Sequence, residues 1–495
     1  MKRALISLSC LLSACAIGPD YEKPEFEVPD VWENAGSQNP ERDLKIEAEW
    51  WKSFQDPLLT ELVEEAVKSN PTYLQALSLI QEARAQVKSA TAGLFPEIDG
   101  TGSYSHNLNS LNVNSGGSGG KRVRESDAYA LGFDTSWEID LFGRLRRADE
   151  AAKATFEGDV ANGQDILLSL IAEVAQNYVL LRQYQQQLLV TQKNAKSWDE
   201  LYNLNVSLFQ AGHISEFSVL EAKTSRDQTR SQIAPLEANV KTTLHQLAIL
   251  TGKPPASLYD KLSEPHPIPQ VSGEIFADLP SALLERRPDI RKAERNLASN
   301  TAQIGLAMGD LFPKFSFTGN LGYNSSKGSN FFDHTSFNAS FGPTFTWDII
   351  DFGRVRANIE AQEAIKDQSY YQYKSVLLSA LQDVENGLVN LSSEGKRHEN
   401  LYAALTASQG VVDLSLSEYQ AGVIDFLTVL TAKTVRNTNE LNFIQSQAAL
   451  SVDAIALYKA LGGGWETILK SSKPQSTLLS IFPKVSSDPD DPGAL

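Results

Sequence analysis

Apolar and polar residues alternate along the chain from Phe337 through Ala339, Phe341, Pro343, Phe345 and Trp347 to Ile349, against Asn338, Ser340, Gly342, Thr344, Thr346 and Asp348. Tyr129, Leu131, Phe133, Trp137 and Ile139 alternate in the same way with Gly132, Asp134, Ser136, Glu138 and Asp140. A period of two predicts strands with one apolar and one polar face. Phe315, Phe317, Leu321 and Tyr323 supply a partner strand of the same kind. A further strand from Ile98 is weaker, because Gly100 and Gly102 occupy its apolar positions. The expected strands cover about 98–110, 127–141, 315–325 and 337–350. After each main alternating run the chain passes through one glycine, Gly143 or Gly353, and the period changes to that of a helix.

The helical pattern is long. Arg144 to Ala211 and Arg354 to Ala421 contain no proline, and at about 1.5 Å per residue each reaches roughly 100 Å. Apolar seams at Leu167, Ile171, Val174, Tyr178 and Leu181, and at Leu377, Leu381, Val384, Leu388 and Leu391, predict helix against helix. Shorter helices are expected over Pro71–Phe95, Ser215–Thr251, Pro288–Phe312 and Asp425–Leu461. Taken in pairs, these are long enough to cover one long helix. Pro235 should kink the second of them, and the fourth has no matching proline. A short amphipathic helix is expected near Leu58–Ser69.

The two halves are repeats. Asn70-Pro71 matches Arg287-Pro288, and Leu94-Phe95-Pro96 matches Leu311-Phe312-Pro313, at an offset of 217. Phe142-Gly143-Arg144 matches Phe352-Gly353-Arg354, Gln210-Ala211-Gly212 matches Gln420-Ala421-Gly422, and Ala222-Lys223-Thr224 matches Ala432-Lys433-Thr434, at an offset of 210. The first strand connection is therefore longer, and it holds the loop composition of Gly116–Gly120. Each repeat reads helix, β-hairpin, long helix, turn, helix. The expected divisions are a signal peptide (1–14), an N-terminal extended segment with a short helix (15–69), repeat 1 (70–252), an inter-repeat linker (253–286), repeat 2 (287–465) and a C-terminal tail (466–495). Residues 16–57, with Trp32, Trp50 and Trp51, are expected to lie extended on the surface of something larger. The linker is expected to join both termini in an equatorial belt, and the tail is assigned no role.

Composition narrows the class. A formal charge of −17 argues against a nucleic-acid partner. Beyond the N-terminus no apolar run is long enough for a helical membrane span. Lys2 and Arg3 followed by apolar residues 4–12 read as a targeting segment. Leu12-Ser13-Ala14-Cys15 resembles the lipobox of bacterial lipoproteins, in which the cysteine is acylated; the alternative is an ordinary signal peptide with an incidental cysteine. Cys10 and Cys15 are the only cysteines, so no disulfide is expected in the mature chain. Ala16 after Cys15 implies sorting to the outer membrane, by resemblance to Gram-negative lipoproteins.

Strands of about 9–11 residues, apolar on one side, suit a bilayer. A soluble β-sandwich edge alternates identically, but here only four strands occur, flanked by long helices. Four strands cannot close a pore, and an open edge facing lipid leaves backbone groups unsatisfied. Several copies must therefore share one barrel. The lipobox, the paired Leu-Phe-Pro, Phe-Gly-Arg and Gln-Ala-Gly elements and the duplication resemble the TolC-type outer-membrane efflux factors, nearest to the lipoproteins serving RND-type multidrug pumps. The resemblance covers nearly all of 15–465. It implies a mainly α chain with a membrane β-barrel portion, and a homotrimer with a twelve-stranded barrel continuous with a twelve-helix periplasmic α-barrel. It further implies a passive exit duct with a gated periplasmic entrance, docked to a periplasmic adaptor and, through it, to an inner-membrane RND-type transporter.

Candidate site residues follow. Cys15 would carry lipid, the only covalent group expected, with no cofactor or metal. Gln210, Ala211, Gly212, Gln420, Ala421 and Gly422 end the long helices, and the resemblance makes these tips the adaptor-docking site. Ser215 and Asp425 occupy N-cap positions. Asp425, Glu216, Glu221, Leu220 and Leu430 are candidates for the entrance gate, where a ring of like side chains closes a pore by size and charge; caps and solvated surface are the ordinary reading. Gly143, Arg144, Gly353 and Arg354 form strand–helix joints, with Arg146 and Arg356 beside them, either against lipid phosphates or paired with Asp140 and Asp351. Trp137 and Trp347 suit the interfacial belt.

No enzyme is legible. Asp351-Phe352-Gly353 spells a kinase motif without its companions, and Gly116–Gly120 matches G-x-S-x-G in a loop composition unsuited to a nucleophile elbow. His106, His213, His245, His266, His334 and His398 show no metal-ligand spacing. The competing reading is a structural or adhesive coiled-coil lipoprotein of the cell envelope, for which two matched hairpins have no use.

Overall fold

The computed structural model describes residues 16–34, 49–108, 110, 125–271 and 286–465. Cys15, the signal peptide, Gly116–Gly120, the linker part 272–285 and the tail 466–495 lie outside the described residues. The elements are α1 (Pro57–Ser69), α2 (Pro71–Ala92), β1 (Glu97–Leu108), β2 (Glu125–Ile139), α3 (Arg144–Gln210), α4 (Glu216–Ser231), α5 (Ile233–Leu250), α6 (Tyr259–Leu262), α7 (Pro288–Gly309), β3 (Lys314–Ser325), β4 (Phe337–Thr346), α8 (Arg354–Gln420) and α9 (Phe426–Ala460). Two compact units form. One takes the described parts of 1–24, 81–158 and 293–373; the other takes those of 25–80, 159–292 and 374–495.

In the first unit the strands form one antiparallel sheet in the order β1-β2-β3-β4. The two hairpins keep one register: Glu97 faces Ser136 and Lys314 faces Thr346, positions related by the repeat offsets. Between the hairpins, Tyr129 faces Ser325 and Ile139 faces Phe315. Strand β4 stops at Thr346, short of the expected 350. The reason is a missing partner. Lys314, opposite Thr346, is the first residue of β3, and among the described residues nothing pairs beyond it. The equivalent residues of repeat 1, Trp137 to Ile139, are strand because β3 pairs with them.

In the second unit the long helices carry the core. Leu167, Ile171, Val174, Tyr178 and Leu181 of α3 meet Leu59, Leu62 and Val63 of α1 and Leu244 and Leu247 of α5. Trp50 and Trp51 join this core, against the surface position expected for them. Trp50 is fully buried, stacks on Tyr458 with ring centroids 5.3 Å apart, and donates its indole N–H to the Gly463 carbonyl at 3.1 Å. Aromatic rings bury too much apolar area to stay on a surface when a seam is open to them. Asp56 caps α1 through Leu58 and Leu59 N–H and also accepts the Tyr178 hydroxyl at 2.7 Å. Buried Arg182 donates to Tyr178 and to the Glu264 carbonyl, which ties the linker to α3.

The expected single helix 215–251 is two, α4 and α5, separated at Gln232. Pro235 lacks the N–H that would bond Ser231, and its ring crowds that carbonyl, so the helix breaks one turn upstream. The repeat-2 counterpart α9 is continuous. No helix among the described residues is long and apolar enough to cross a membrane.

Candidate functional site

The sheet has two unlike faces. On one, Asp134 accepts from Thr101 Oγ1 at 2.8 Å and from Asn320 Nδ2 at 2.6 Å, and Asn338 Nδ2 donates to Asn320 Oδ1 at 3.0 Å. This chain of polar groups crosses all four strands. On the other face Phe133, Leu131, Phe317, Leu321, Phe341 and Phe345 lie bare; Phe341 is 63% exposed. A continuous apolar face of this kind fits hydrocarbon rather than water. Trp137 and Trp347 donate to the carbonyls of Leu94 and Leu311, at 2.9 and 3.1 Å, so each indole closes the base of its own hairpin.

The joints follow. Gly143 and Gly353 have φ of 81° and 87°, a left-handed turn that glycine makes without a Cβ clash. Arg144 donates from Nε and Nη2, one edge of its guanidinium, to the Glu138 carboxylate at 2.7–3.1 Å. Arg354 pairs with Asp348 at 2.9 Å. Of the two carboxylates expected to pair, Asp140 holds Arg146 and its backbone N–H. Asp351 instead caps α8, accepting from the Gly353 and Val355 N–H at 3.0 and 2.8 Å. The Val355 and Gly353 N–H groups hold its carboxyl below the usual range.

One feature of the first joint has no sequence signal. The Ile17 N–H bonds the Phe142 carbonyl at 3.0 Å. Buried Arg147 then clamps the same segment, reaching the Ile17 and Gly18 carbonyls at 3.1 and 3.2 Å and Asp20 at 2.6 Å. A Cβ on Gly143 would stand 2.6 Å from the Ala16 Cα. The backbone one residue after Cys15 is thereby held on the first strand–helix joint. Ala357 stands at the repeat-2 position of Arg147, so the clamp is not duplicated.

At the helical tips Gly212 and Gly422 have φ of 77° and 74°. His213 N–H bonds the Leu208 carbonyl and Val423 N–H the Glu418 carbonyl, both at 2.9 Å, so both long helices end in the same glycine cap. Gln210, Ala211, Gln420 and Ala421 are exposed there. Asp425 caps α9, accepting from the Thr428 N–H at 3.0 Å and its hydroxyl at 2.7 Å. The Thr428 hydroxyl and N–H together hold its carboxyl below the usual range. Ser215 occupies the same position ahead of α4, but its side chain makes no capping bond.

The two tips share a core of Trp198, Leu201, Ala222, Phe426 and Val429, with Leu430 against it. Of the gate candidates, Asp425, Glu216 and Leu220 are exposed, Glu221 is half-buried, and Leu430 faces this core. The tips are also linked by polar groups. Buried Asn205 donates to the Ser218 carbonyl at 3.2 Å and accepts the Tyr419 hydroxyl at 3.3 Å. Lys433 is buried with its ammonium on the Ser197 hydroxyl and 5.5 Å from the Trp198 ring; burial pushes its pKa down. Its repeat partner Lys223 is exposed. The Ala-Lys-Thr match marked both lysines, and nothing local distinguished them.

Among the described residues no group of His, Cys, Asp and Glu is arranged to hold a metal ion. Two hairpins that share a bare apolar face, each followed through a glycine by a long proline-free helix, fit the class of outer-membrane channel subunits. Comparison with known proteins gives the family. The outer membrane efflux protein family matches residues 62–253 and 279–463, and the chain belongs to it. It is an outer-membrane efflux channel and not an enzyme. It is 30% identical over 468 residues to nodulation protein T of Rhizobium leguminosarum bv. trifolii, covering 94% of this chain and 97% of that one. It is 30% identical over 464 residues to outer membrane protein OprJ of Pseudomonas aeruginosa, covering 93% and 95%. The solved outer-membrane channel OprN superposes with a TM-score of 0.85 at 32% identity, over 91% of this chain and 100% of that one. The family leaves no support for a purely structural or adhesive coiled-coil lipoprotein.

Proposed function

We propose that three copies of the chain close a twelve-stranded barrel in the outer membrane of a Gram-negative bacterium and continue it into the periplasm as a twelve-helix barrel. The assembly is the passive exit duct of a tripartite pump for drugs or other small molecules. The observation that carries this reading is a sheet with a bare apolar face and two edge strands, β1 and β4, that pair with no further strand among the described residues. In a bilayer such edges must be paired, because lipid offers their N–H and C=O groups nothing.

The exposed tips at Gln210, Ala211, Gly212, Gln420, Ala421 and Gly422 receive the periplasmic adaptor, which links the duct to an inner-membrane RND-type transporter. Asp425, Glu216, Glu221 and Leu220, each repeated three times, line the entrance, while Leu430 supports it from the tip core. Gly143, Arg144, Gly353 and Arg354 sit at the periplasmic face of the bilayer. Acylated Cys15 anchors the same face, next to the segment that Arg147 clamps. The test is conductance in planar bilayers together with restoration of drug resistance in a strain lacking its own duct. Restored resistance and a conducting particle support the reading. A purified protein that inserts, yet neither conducts nor restores resistance, overturns it.

A further inference from the structure

The seam between copies can be read from the seam between repeats. The hairpins β1–β2 and β3–β4 keep the same register under offsets of 217 for the first strand and 210 for the second, since Glu97 faces Ser136 and Lys314 faces Thr346. The indole bonds Trp137 to Leu94 and Trp347 to Leu311 obey the same offsets. The operation relating the repeats is therefore faithful to single residues within each hairpin. The contact between hairpins, β2 against β3, occurs once among the described residues. Its counterpart would set β4 of one copy against β1 of the next, and each part of that counterpart is missing here. Strand β4 ends three residues before the point its counterpart β2 reaches. Ile349 and Ile98 are 75% and 70% exposed. Phe142 stacks on Phe312 with centroids 4.7 Å apart, whereas their counterparts Phe352 and Phe95 stand 99% and 65% exposed.

We propose that neighbouring copies join in the register of β2 and β3, carried over residue by residue; this rests on the duct reading and deepens it. Ile139 facing Phe315 becomes Ile349 facing Ile98 of the next copy, and Trp137 facing Phe317 becomes Trp347 facing Gly100. Continuing, Phe345 meets Gly102, and Pro343 meets Tyr104. Directly opposed residues of antiparallel strands point to the same face. Gly100 and Gly102, anomalous in an apolar alternation, thus lie beneath Trp347 and Phe345 of the neighbour. The chain already contains the precedent: Phe341 lies over Gly319, directly opposite it, where a Cβ would meet the ring at 2.6 Å. At the base of the seam Phe352, held at φ 54°, stacks on Phe95 of the next copy. Strand β4 lengthens to Ile349 once the neighbour's β1 supplies the missing partners.

The test is disulfide trapping in outer membranes. Ile98→Cys with Ile349→Cys, and separately Tyr104→Cys with Pro343→Cys, place opposed Cβ atoms at about 4.5–5.5 Å, close to disulfide reach. Tyr104→Cys with Phe341→Cys is two residues out of register, at about 7–8 Å. Oxidation should link both in-register pairs into oligomers and leave the third pair and all single variants unlinked. As a second readout, Phe352→Ala and Phe95→Ala should each lower the temperature at which detergent dissociates the oligomer, and the double variant should lower it no further. The register is overturned if the third pair links and the others do not, or if no pair links in a preparation that conducts ions. The duct reading fails separately if the unsubstituted protein, extracted in mild detergent, neither conducts nor self-associates.

Discussion

The two joints share Phe-Gly-Arg and the same left-handed glycine, yet one is covered and the other is bare. Around Gly143, Ala16 and the Arg147 clamp close over the backbone, and Phe142 stacks on Phe312. Around Gly353 no described residue beyond its chain neighbours comes within 4 Å of the place a Cβ would take, and Phe352 is almost wholly exposed. The tips reverse the contrast: Asp425 of repeat 2 caps its helix and Lys433 is buried, while Ser215 caps nothing and Lys223 is exposed. Duplicated sequence gives duplicated backbone. Which side chains are buried is decided by the neighbour each copy of the motif meets.

The largest effects should ignore this difference. Leu131 and Phe341 are repeat equivalents on the bare apolar face, and Leu131→Arg or Phe341→Arg should each cost about 2–4 kcal/mol if that face lies near the bilayer midplane. The membrane-inserted fraction after urea titration in liposomes measures it. Equal losses support a shared lipid-facing role, and an unchanged fraction for either assigns that face elsewhere. Gln445 is exposed and stands in α9 at the position Pro235 holds in repeat 1. Gln445→Pro should break α9 and cost about 3 kcal/mol. Amide exchange should show new opening about one turn upstream of the substitution. If α9 remains protected there, Pro235 is not what divides α4 from α5.

The clamp comes next. Arg147→Ala strands the Ile17 and Gly18 carbonyls, at about 1–3 kcal/mol, and should leave the first joint as bare as the second. Faster exchange of the Ile17 amide would register this, and unchanged protection would show that the segment is held by other contacts. The cap is the smallest. Asp425→Ala should loosen the first turn of α9, and Ser215→Ala should change nothing detectable at α4, because only the aspartate makes the bond. The Asp425 carboxyl is depressed in the fold, so its contribution is present above the ordinary value of 3.8 and is lost as pH falls through the lower folded value. The protection factor of the Thr428 amide, followed from neutral to acid against the intrinsic rate, should fall only in that range.

How much could be read beforehand depends on how local each cause is. Alternation, the glycine turns and the bend at Pro235 are set by nearest neighbours along the chain, so the strands, the joints and a kink in 215–251 could be seen in the residues, though not the full break between α4 and α5. The end of β4 could not, because it is fixed by what lies opposite. Trp50 and Trp51 sit in a polar, proline-rich context that masked their burial; only the tertiary seam on α3 explains it. Arg144 chose Glu138 over Asp140 because the latter is engaged with Arg146, a competition no spacing reveals. Arg147 offered no signal except its lack of a repeat partner, which in hindsight is the informative feature.

The claim beneath all of this is that one chain supplies part of a wall which other copies complete. Native mass spectrometry of the particle extracted from outer membranes in mild detergent tests it most directly. The account predicts a homogeneous assembly of three chains. A monodisperse single chain would contradict it.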